Sequence, residues 1–340
     1  MAREHVKSWC RVNYGVMAAV VHGGVKIVYA GVTHIHQHSW RYAGQMTVLV
    51  VVLCLAVTDG ANSAAGLEGP ARVMDDEQRV DPCAFARGTE KIVSKFGLTE
   101  LDEHFGNFDR CDLVVHRTDR KREIDVEFLF RKSATPVDTA PRQQFGSVVM
   151  ENDELDDGEC DRALMLANWY VLEITAKSKE GGELLCSIAG EAALAALPVY
   201  TNGSLAKGRT FEPWSLANKN ACTGLDSPTL ARLGLVRATD TPTFGGWGCE
   251  WGTDDRWAKV WFDQGPPPSA EEDGTPAQFG TRNGFVATPS DGSAACEIVM
   301  GYHDFTGNGR GLMEAVHVSV GGGLGEDQAR IAANDVATNI

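Results

Sequence analysis

The stretch WGCEWGTDDRWAKVWF, residues 247–262, decides the fold, because a recognisable counterpart precedes it in the same chain. The counterpart is RCDLVVHRTDRKREIDVEFLF, residues 110–130. Both stretches begin with a cysteine that opens a short strand, turn through charged residues, and enter a second strand with alternating apolar side chains. We therefore predict one domain that is built twice.

Four landmarks support this duplication, because they recur at a nearly constant spacing. They are Cys83 and Cys222, Gly97 and Gly234, Cys111 and Cys249, and Cys160 and Cys296, which are offset by 136 to 139 residues. A fixed offset over several landmarks is the pattern typical of an internal repeat.

The order of elements within each unit predicts the fold class. Each unit opens with a helical segment, continues through about five β-rich segments and closes on a second helix. This order favours an α+β fold in which both helices pack on one face of an antiparallel sheet. The predicted segments are a leader (1–63), a linker (64–80), a first α+β domain (81–197), a second linker (198–216) and a second α+β domain (217–340).

The leader contains a twelve-residue apolar run, MTVLVVVLCLAV, at residues 46–57. A membrane span needs about 20 apolar residues, whereas this run has the length of a signal-peptide core. Small residues follow it, so we predict export with cleavage near Ser63 or Ala65. The alternative is an uncleaved anchor, which would be the chain's one contact with a membrane. Either way the protein is expected outside the cytoplasm, secreted or membrane-anchored.

Net charge and cysteine content indicate which partners and which cellular compartment are compatible with the chain. The net charge is −15, and the first 63 residues carry five Lys or Arg against two acids, so the remainder is more acidic still. Such a surface repels phosphate backbones, so we predict no nucleic-acid partner. Nine cysteines without any CxxC pair favour disulfides, an oxidising compartment and no structural metal.

The repeat suggests how the cysteines pair. Both units could join their first strand to their fourth, and Cys186 then remains for Cys83. Cys222 would be unpaired, because Ala329 stands where Cys186 aligns. An alternative joins Cys186 to Cys222 across the linker. The predicted disulfides are Cys111–Cys160, Cys249–Cys296 and Cys83–Cys186.

Short motifs resemble a known family. Asp81-Pro82-Cys83 opens a helix, Cys249-Glu250-Trp251 follows a glycine-rich turn, and LCSIA (185–189) lies in a closing helix. In order and spacing they resemble two tandem copies of the actinobacterial domain of unknown function 3558, whose members are mostly exported proteins or lipoproteins. The resemblance to the extracellular sensor domains of mycobacterial serine/threonine kinases is looser. Both imply an extracytoplasmic α+β domain, and the family implies no established activity.

Catalytic patterns are missing from the sequence. It has no GxSxG elbow and no Cys/His pair in a plausible context, and four histidines follow the leader. We predict no catalytic residue, no cofactor and no metal. A hydrolase that uses acidic residues is the weaker alternative, although no carboxylate stands out.

Tryptophans mark the candidate contact site. In the strand after residue 256, Ala258, Val260 and Phe262 should face the core, and Trp257, Lys259 and Trp261 should face away from it. Exposed aromatic strips usually mark contacts, so we predict a binding or sensor-like protein that contacts an unknown protein or a cell-wall glycan. Alternatively these rings pack the domains together or lie under the loop 265–280. The runner-up function is a structural or inhibitory envelope protein.

Overall fold

The structure is a computed structural model. It describes residues 76–117, 122–132, 141–152, 158–166, 170–179, 182, 184–201, 208–236, 238–253, 255–287, 295–307 and 309–340. The predicted leader, its apolar run and most of the first predicted linker lie outside the described residues.

The first lobe (residues 77–201) is built on one antiparallel sheet of seven strands, which lie in the order β1-β2-β3-β7-β6-β5-β4. The strands are β1 Leu98–Asp102, β2 Arg110–Arg117, β3 Arg122–Lys132, β4 Arg142–Phe145, β5 Val148–Asn152, β6 Glu159–Met165 and β7 Tyr170–Lys177.

The second lobe (residues 221–339) repeats this sheet strand for strand, in the order β8-β9-β10-β14-β13-β12-β11. The strands are β8 Asp240–Pro242, β9 Gly248–Thr253, β10 Arg256–Gly265, β11 Thr275–Phe279, β12 Arg282–Ala287, β13 Cys296–Gly307 and β14 Arg310–Gly321. The antiparallel α+β arrangement is therefore confirmed.

The predicted number of five strands per sheet was wrong, since each sheet has seven. The strands that the sequence pattern missed are the edge strands β1 and β4, and their counterparts β8 and β11. Most of their residues are exposed or half-buried. A strand without a buried face has no alternation of polar and apolar residues, so the pattern gave no signal.

The described residues of the lobes also form four α-helices: α1 Pro82–Val93, α2 Leu184–Thr201, α3 Ser227–Arg232 and α4 Glu326–Asn339. Asp81 caps α1 by accepting a hydrogen bond from the backbone N–H of Cys83, and Asp226 caps α3 by accepting one from Thr229. Among the described helices, α2 alone has the length and hydropathy of a membrane span, by composition only. Its buried residues pack against β6, β7 and α1.

The two lobes share one hydrophobic core. The Phe130 ring at the end of β3 stacks on Phe244 of the second lobe at 4.8 Å between ring centres. Phe108 contacts Trp247 at 5.6 Å. The segment 208–216 is packed as well, since the Arg209 guanidinium donates to the Phe108 carbonyl at 3.1 Å.

The described part of the chain contains three disulfides, and none of the predicted pairings was right. The bonds are Cys83–Cys111, Cys160–Cys186 and Cys222–Cys249. The predicted pairs Cys111–Cys160, Cys83–Cys186 and Cys249–Cys296 do not form, and neither does the alternative Cys186–Cys222.

The order of the strands explains this correction. Two strands separate β2 from β6, and two separate β9 from β13. At about 4.8 Å per step, the predicted partners on these strands lie roughly 14 Å apart, too far for a disulfide. Each bond instead joins a helix or helical turn to a strand beside it. Cys222, predicted to be unpaired, is bonded, and Cys296 is the free cysteine among the described residues. Three disulfides indicate folding in an oxidising environment.

Candidate contact face on the second sheet

The two faces of β10 differ in burial as the sequence pattern predicts. Ala258, Val260 and Phe262 are fully buried beneath the helices of the second lobe. Trp257, Lys259 and Trp261 lie on the opposite face and are half-buried. We call this opposite side of the second sheet the outer face.

Trp261 stacks on His317, its cross-strand partner on β14. The ring centres are 4.8 Å apart and the planes differ by 16°. This separation equals the spacing between neighbouring strands, so both rings stand upright on the sheet with their faces toward the neighbouring strands. The ammonium of Lys259 lies 5.4 Å from the centre of the Trp261 ring.

The Trp257 indole leans across the sheet over Gly321 of β14. A Cβ on Gly321 would stand 2.5 Å from Cζ2 of Trp257, closer than any real contact. Gly321 is therefore required here by the ring that covers it.

His317 is held between carboxylates. Its Nδ1 is 2.9 Å from Glu297 on β13, and its Nε2 is 3.7 Å from Asp263 on β10. Burial by itself lowers the pKa of His317, but the hydrogen bond and charge of Glu297, with the charges of Asp263 and Asp273, outweigh burial. The pKa of His317 is therefore raised, because the protonated imidazole is stabilised by these carboxylates. His317 alternates with the buried Val316 and Val318 along β14, so its side chain faces away from the core.

The duplication allows the two outer faces to be compared residue by residue. Cys111 pairs with Phe128 on β3, and Cys249 pairs with Val260 on β10, so Phe128 and Val260 are equivalent. From this register, the counterparts of Trp257, Lys259 and Trp261 are Asp125, Glu127 and Leu129.

In the first lobe the outer face is closed by a buried ion network around Arg110. The Arg110 side chain, 2% exposed, makes two hydrogen bonds of 2.6 Å to the carboxylate of Asp112. Its Nη1 also lies 3.1 Å from Glu127, which accepts a 2.8 Å bond from Lys177. Sequence reasoning missed this network, because alternating charges on a strand are typical of a solvated face.

In the second lobe the corresponding positions carry different residues. Gly248 stands at the position of Arg110, Glu250 at that of Asp112 and Lys259 at that of Glu127. Glu250 is exposed. The second outer face thus keeps one carboxylate of the network and lacks its arginine.

Two other places in the described residues are relevant to catalysis or metal binding: the buried Asp109 carboxyl and a cluster of two cysteines with an aspartate. Burial raises the pKa of the Asp109 carboxyl to about 7, against the opposing effects of a backbone hydrogen bond and Arg131. In the described part of the chain, the one cluster with metal-ligand spacing is Cys222, Asp240 and Cys249, and its two sulfurs are joined in a disulfide.

No family model matches the chain, and no curated protein matches it. The resemblance to the domain of unknown function 3558 therefore stays a prediction. Among solved structures, the chain is weakly similar to DynU16, a protein of the dynemicin biosynthetic locus. That likeness has 11% identity and a TM-score of 0.15, and it covers 76% of this chain and 90% of DynU16. A likeness this weak carries no argument about fold or function.

Proposed function

We propose that this chain is a non-catalytic binding protein that acts outside the cytoplasm and contacts a partner protein through the outer face of its second sheet. The contact residues are Trp257, Lys259 and Trp261. One observation carries the proposal: two lobes of the same topology differ on this face. A closed ion network around Arg110 fills the first, and the second presents half-buried aromatic side chains.

The location rests on two features. Three disulfides favour an oxidising environment. The apolar run 46–57 has the length of an export signal. Together they support a secreted or membrane-anchored protein.

The test is binding of the purified, disulfide-intact chain to cell-envelope material separated into protein and glycan fractions. Replacing both tryptophans, Trp257→Ala with Trp261→Ala, should abolish binding, since aromatic side chains dominate interface energetics. The matched control is Ile92→Ala with Leu194→Ala, because these exposed apolar side chains, 40% and 46% accessible, lie in the helix layer of the first lobe. The control pair should bind like the wild type.

Circular dichroism and the count of free thiols would establish that each variant is folded. Binding that survives loss of both tryptophans would refute the proposal. So would a chain that binds neither fraction, which would favour the structural envelope protein instead.

A further inference from the structure

A cleft lies at the junction of the two lobes, between the segments that lead into their first cysteines. It has a volume of about 340 Å³, and its lining includes Gln78, Arg79, Arg209, Phe211, Ala217 and Asn218. The duplication relates its two sides, because Arg79 and Asn218 each lie four residues before an equivalent cysteine, Cys83 or Cys222. Ligand sites occur preferentially at such junctions between domains.

The walls of the cleft are held in place by hydrogen bonds to neighbouring segments. The Gln78 amide donates to the carbonyls of Lys219 and Gly245 at 3.2 and 3.1 Å. The carbonyl of Ala217 accepts a 2.9 Å hydrogen bond from the Trp247 indole. These bonds order the walls without a ligand, so binding does not have to supply the free energy for ordering them.

Arg209 gives the cleft a buried positive charge that its neighbours neutralise only in part. Its side chain is 12% exposed, and its two terminal nitrogens donate to the carbonyls of Phe108 and Glu103 at 3.1 and 2.9 Å. Among the described residues, its carboxylate partner is Asp81, which lies 3.8 Å from Nε and also pairs with Arg87. Burial lowers the pKa of Arg209 although Asp81 and Glu103 oppose the shift, so the charge is incompletely compensated.

Arg79 adds a second guanidinium to the same cleft. It is exposed, and the described residues offer it no ion pair. Asp76 is the one carboxylate among the described residues that line the cleft. Two arginines and one aspartate give the lining a net charge of +1, whereas the whole chain has a net charge of −15. The cleft therefore suits a ligand with a single negative charge, since a dianion would leave an uncompensated charge in an acidic protein.

The rest of the lining indicates what else the ligand carries. Gln78, Thr210 and Asn218 offer amide and hydroxyl groups, and Phe211 and Ala217 offer apolar surface. This combination suits a ligand with an amide group and a small apolar side chain. The volume is near the lower end of the range of about 300 to 1,000 Å³ that is typical of ligand clefts, so the ligand is small.

We propose that this cleft binds a small organic monocarboxylate of the size of an N-acylated amino acid. The carboxylate pairs with the guanidinium of Arg79 and is attracted by the charge of Arg209, and the apolar part packs on Phe211. The cleft shares no residue with the outer face of the second sheet. This inference therefore goes beyond the proposed function and does not rest on it.

The probe is N-acetyl-L-valine, titrated into the full disulfide-intact chain by isothermal calorimetry. Its neutral counterpart, N-acetyl-L-valine amide, has nearly the same shape without the charge. We expect saturable binding of one molecule of the acid per chain and no binding of the amide, because the guanidinium pairing is made only with the carboxylate.

Two substitutions and one matched control sharpen the test. Arg79→Gln should weaken binding of the acid about tenfold, as expected for a hydrogen bond to a charged group. Asp76→Asn should strengthen it, because a like charge is removed from the cleft. Lys91→Gln removes one positive charge from an exposed position in the last turn of α1 and should leave the affinity unchanged. Circular dichroism and the count of free thiols establish that each variant is folded.

Several results would overturn the site. Equal affinities for the acid and the amide, no binding of the acid, or unchanged binding in Arg79→Gln would each do so. Weakening by Lys91→Gln as large as that by Arg79→Gln would show that only overall charge matters. If inorganic phosphate binds more tightly than the acid, the cleft is a phosphate site and the carboxylate is wrong.

The fate of the outer face can be read separately. Trp257→Ala with Trp261→Ala should bind N-acetyl-L-valine like the wild type, whatever its effect on binding to envelope material. If this double variant loses the acid, the ligand occupies the outer face and the cleft proposal falls.

Discussion

Replacing Ala329 with cysteine should create a disulfide between the new side chain and Cys296. In the first lobe Cys160 on β6 bonds to Cys186 in α2. Cys296 occupies the same place in the second sheet, since it pairs with β14 as Cys160 pairs with β7. The repeat aligns Ala329 of α4 with Cys186. Burial raises the pKa of Cys296, and the charges of Glu326 and Arg330 act on it, which places the thiol beside the first turns of α4.

The expected stabilisation follows from the length of the loop that the new disulfide would close. The existing bonds close loops of 26 to 28 residues. A loop of roughly 30 residues stabilises by between about 3 and 4 kcal/mol in the chain-entropy model. The difference between Ala329→Cys and the wild type should appear in guanidinium unfolding under oxidising conditions. Cys296 should become protected from alkylation in the denatured protein, and non-reducing peptide mapping should recover the linked peptides.

The control is Ala332→Cys, which places a cysteine at a buried position further along the same helix. It should leave Cys296 open to alkylation. If Ala329→Cys leaves Cys296 reactive, or if Ala332→Cys protects it, the alignment of α4 with α2 is wrong and the duplication does not extend to the closing helix.

Three predictions concern buried charge. Asp109 has a pKa raised by burial from 3.8 to about 7, so its stabilising effect is complete below pH 3.8 and is lost as pH rises to about 7. The free energy of unfolding of Asp109→Asn, measured with urea, should therefore equal that of the wild type near pH 4. At pH 8 it should be higher than that of the wild type by up to roughly 4 kcal/mol. A difference that does not change with pH would contradict this. Arg110→Ala should lower the free energy of unfolding by about 3 to 5 kcal/mol, because it leaves buried carboxylates unpaired; a loss below about 1 kcal/mol would show that the network is solvated. His317→Gln should destabilise the folded protein more at pH 6 than at pH 9. A histidine whose pKa is raised by folding contributes stability at pH values below its unfolded pKa, and this contribution is lost as pH rises through the folded pKa. If the imidazole were neutral, thermal melts would show the same decrease in melting temperature at both pH values.

The repeated hairpin of the sequence determines much of the observed fold. The alternation in β10 correctly separates Val260 and Phe262 from Trp257 and Trp261, since a strand with one buried face places successive residues on opposite sides. The recurring cysteines correctly indicate two equivalent sheets. Alternation within a strand and the spacing of cysteines are both patterns along the chain, so a single sequence is enough to detect them.

The disulfides depend on information that is not local. Which helix lies beside which strand is set by the order of strands in the sheet, and β7 follows β6 in the chain yet inserts beside β3. Spacing along the chain cannot reveal that order. The burial of Arg110 was also hidden, because a charged residue on the outer face of a strand is normally solvated.

The two outer faces meet where the lobes join, and a charge of the first face acts on a carboxylate of the second. Backbone hydrogen bonds of 2.9 Å join Gly106 of the first lobe to Gln264 at the end of β10. Burial raises the pKa of Asp263, and His317 from the same sheet opposes that rise, as does Arg110 from the other lobe. Arg110 therefore acts on Asp263, the carboxylate beside His317. His317 in turn stacks on the Trp261 ring. In the first lobe this arginine closes the outer face, and its charge also acts on Asp263 of the second outer face.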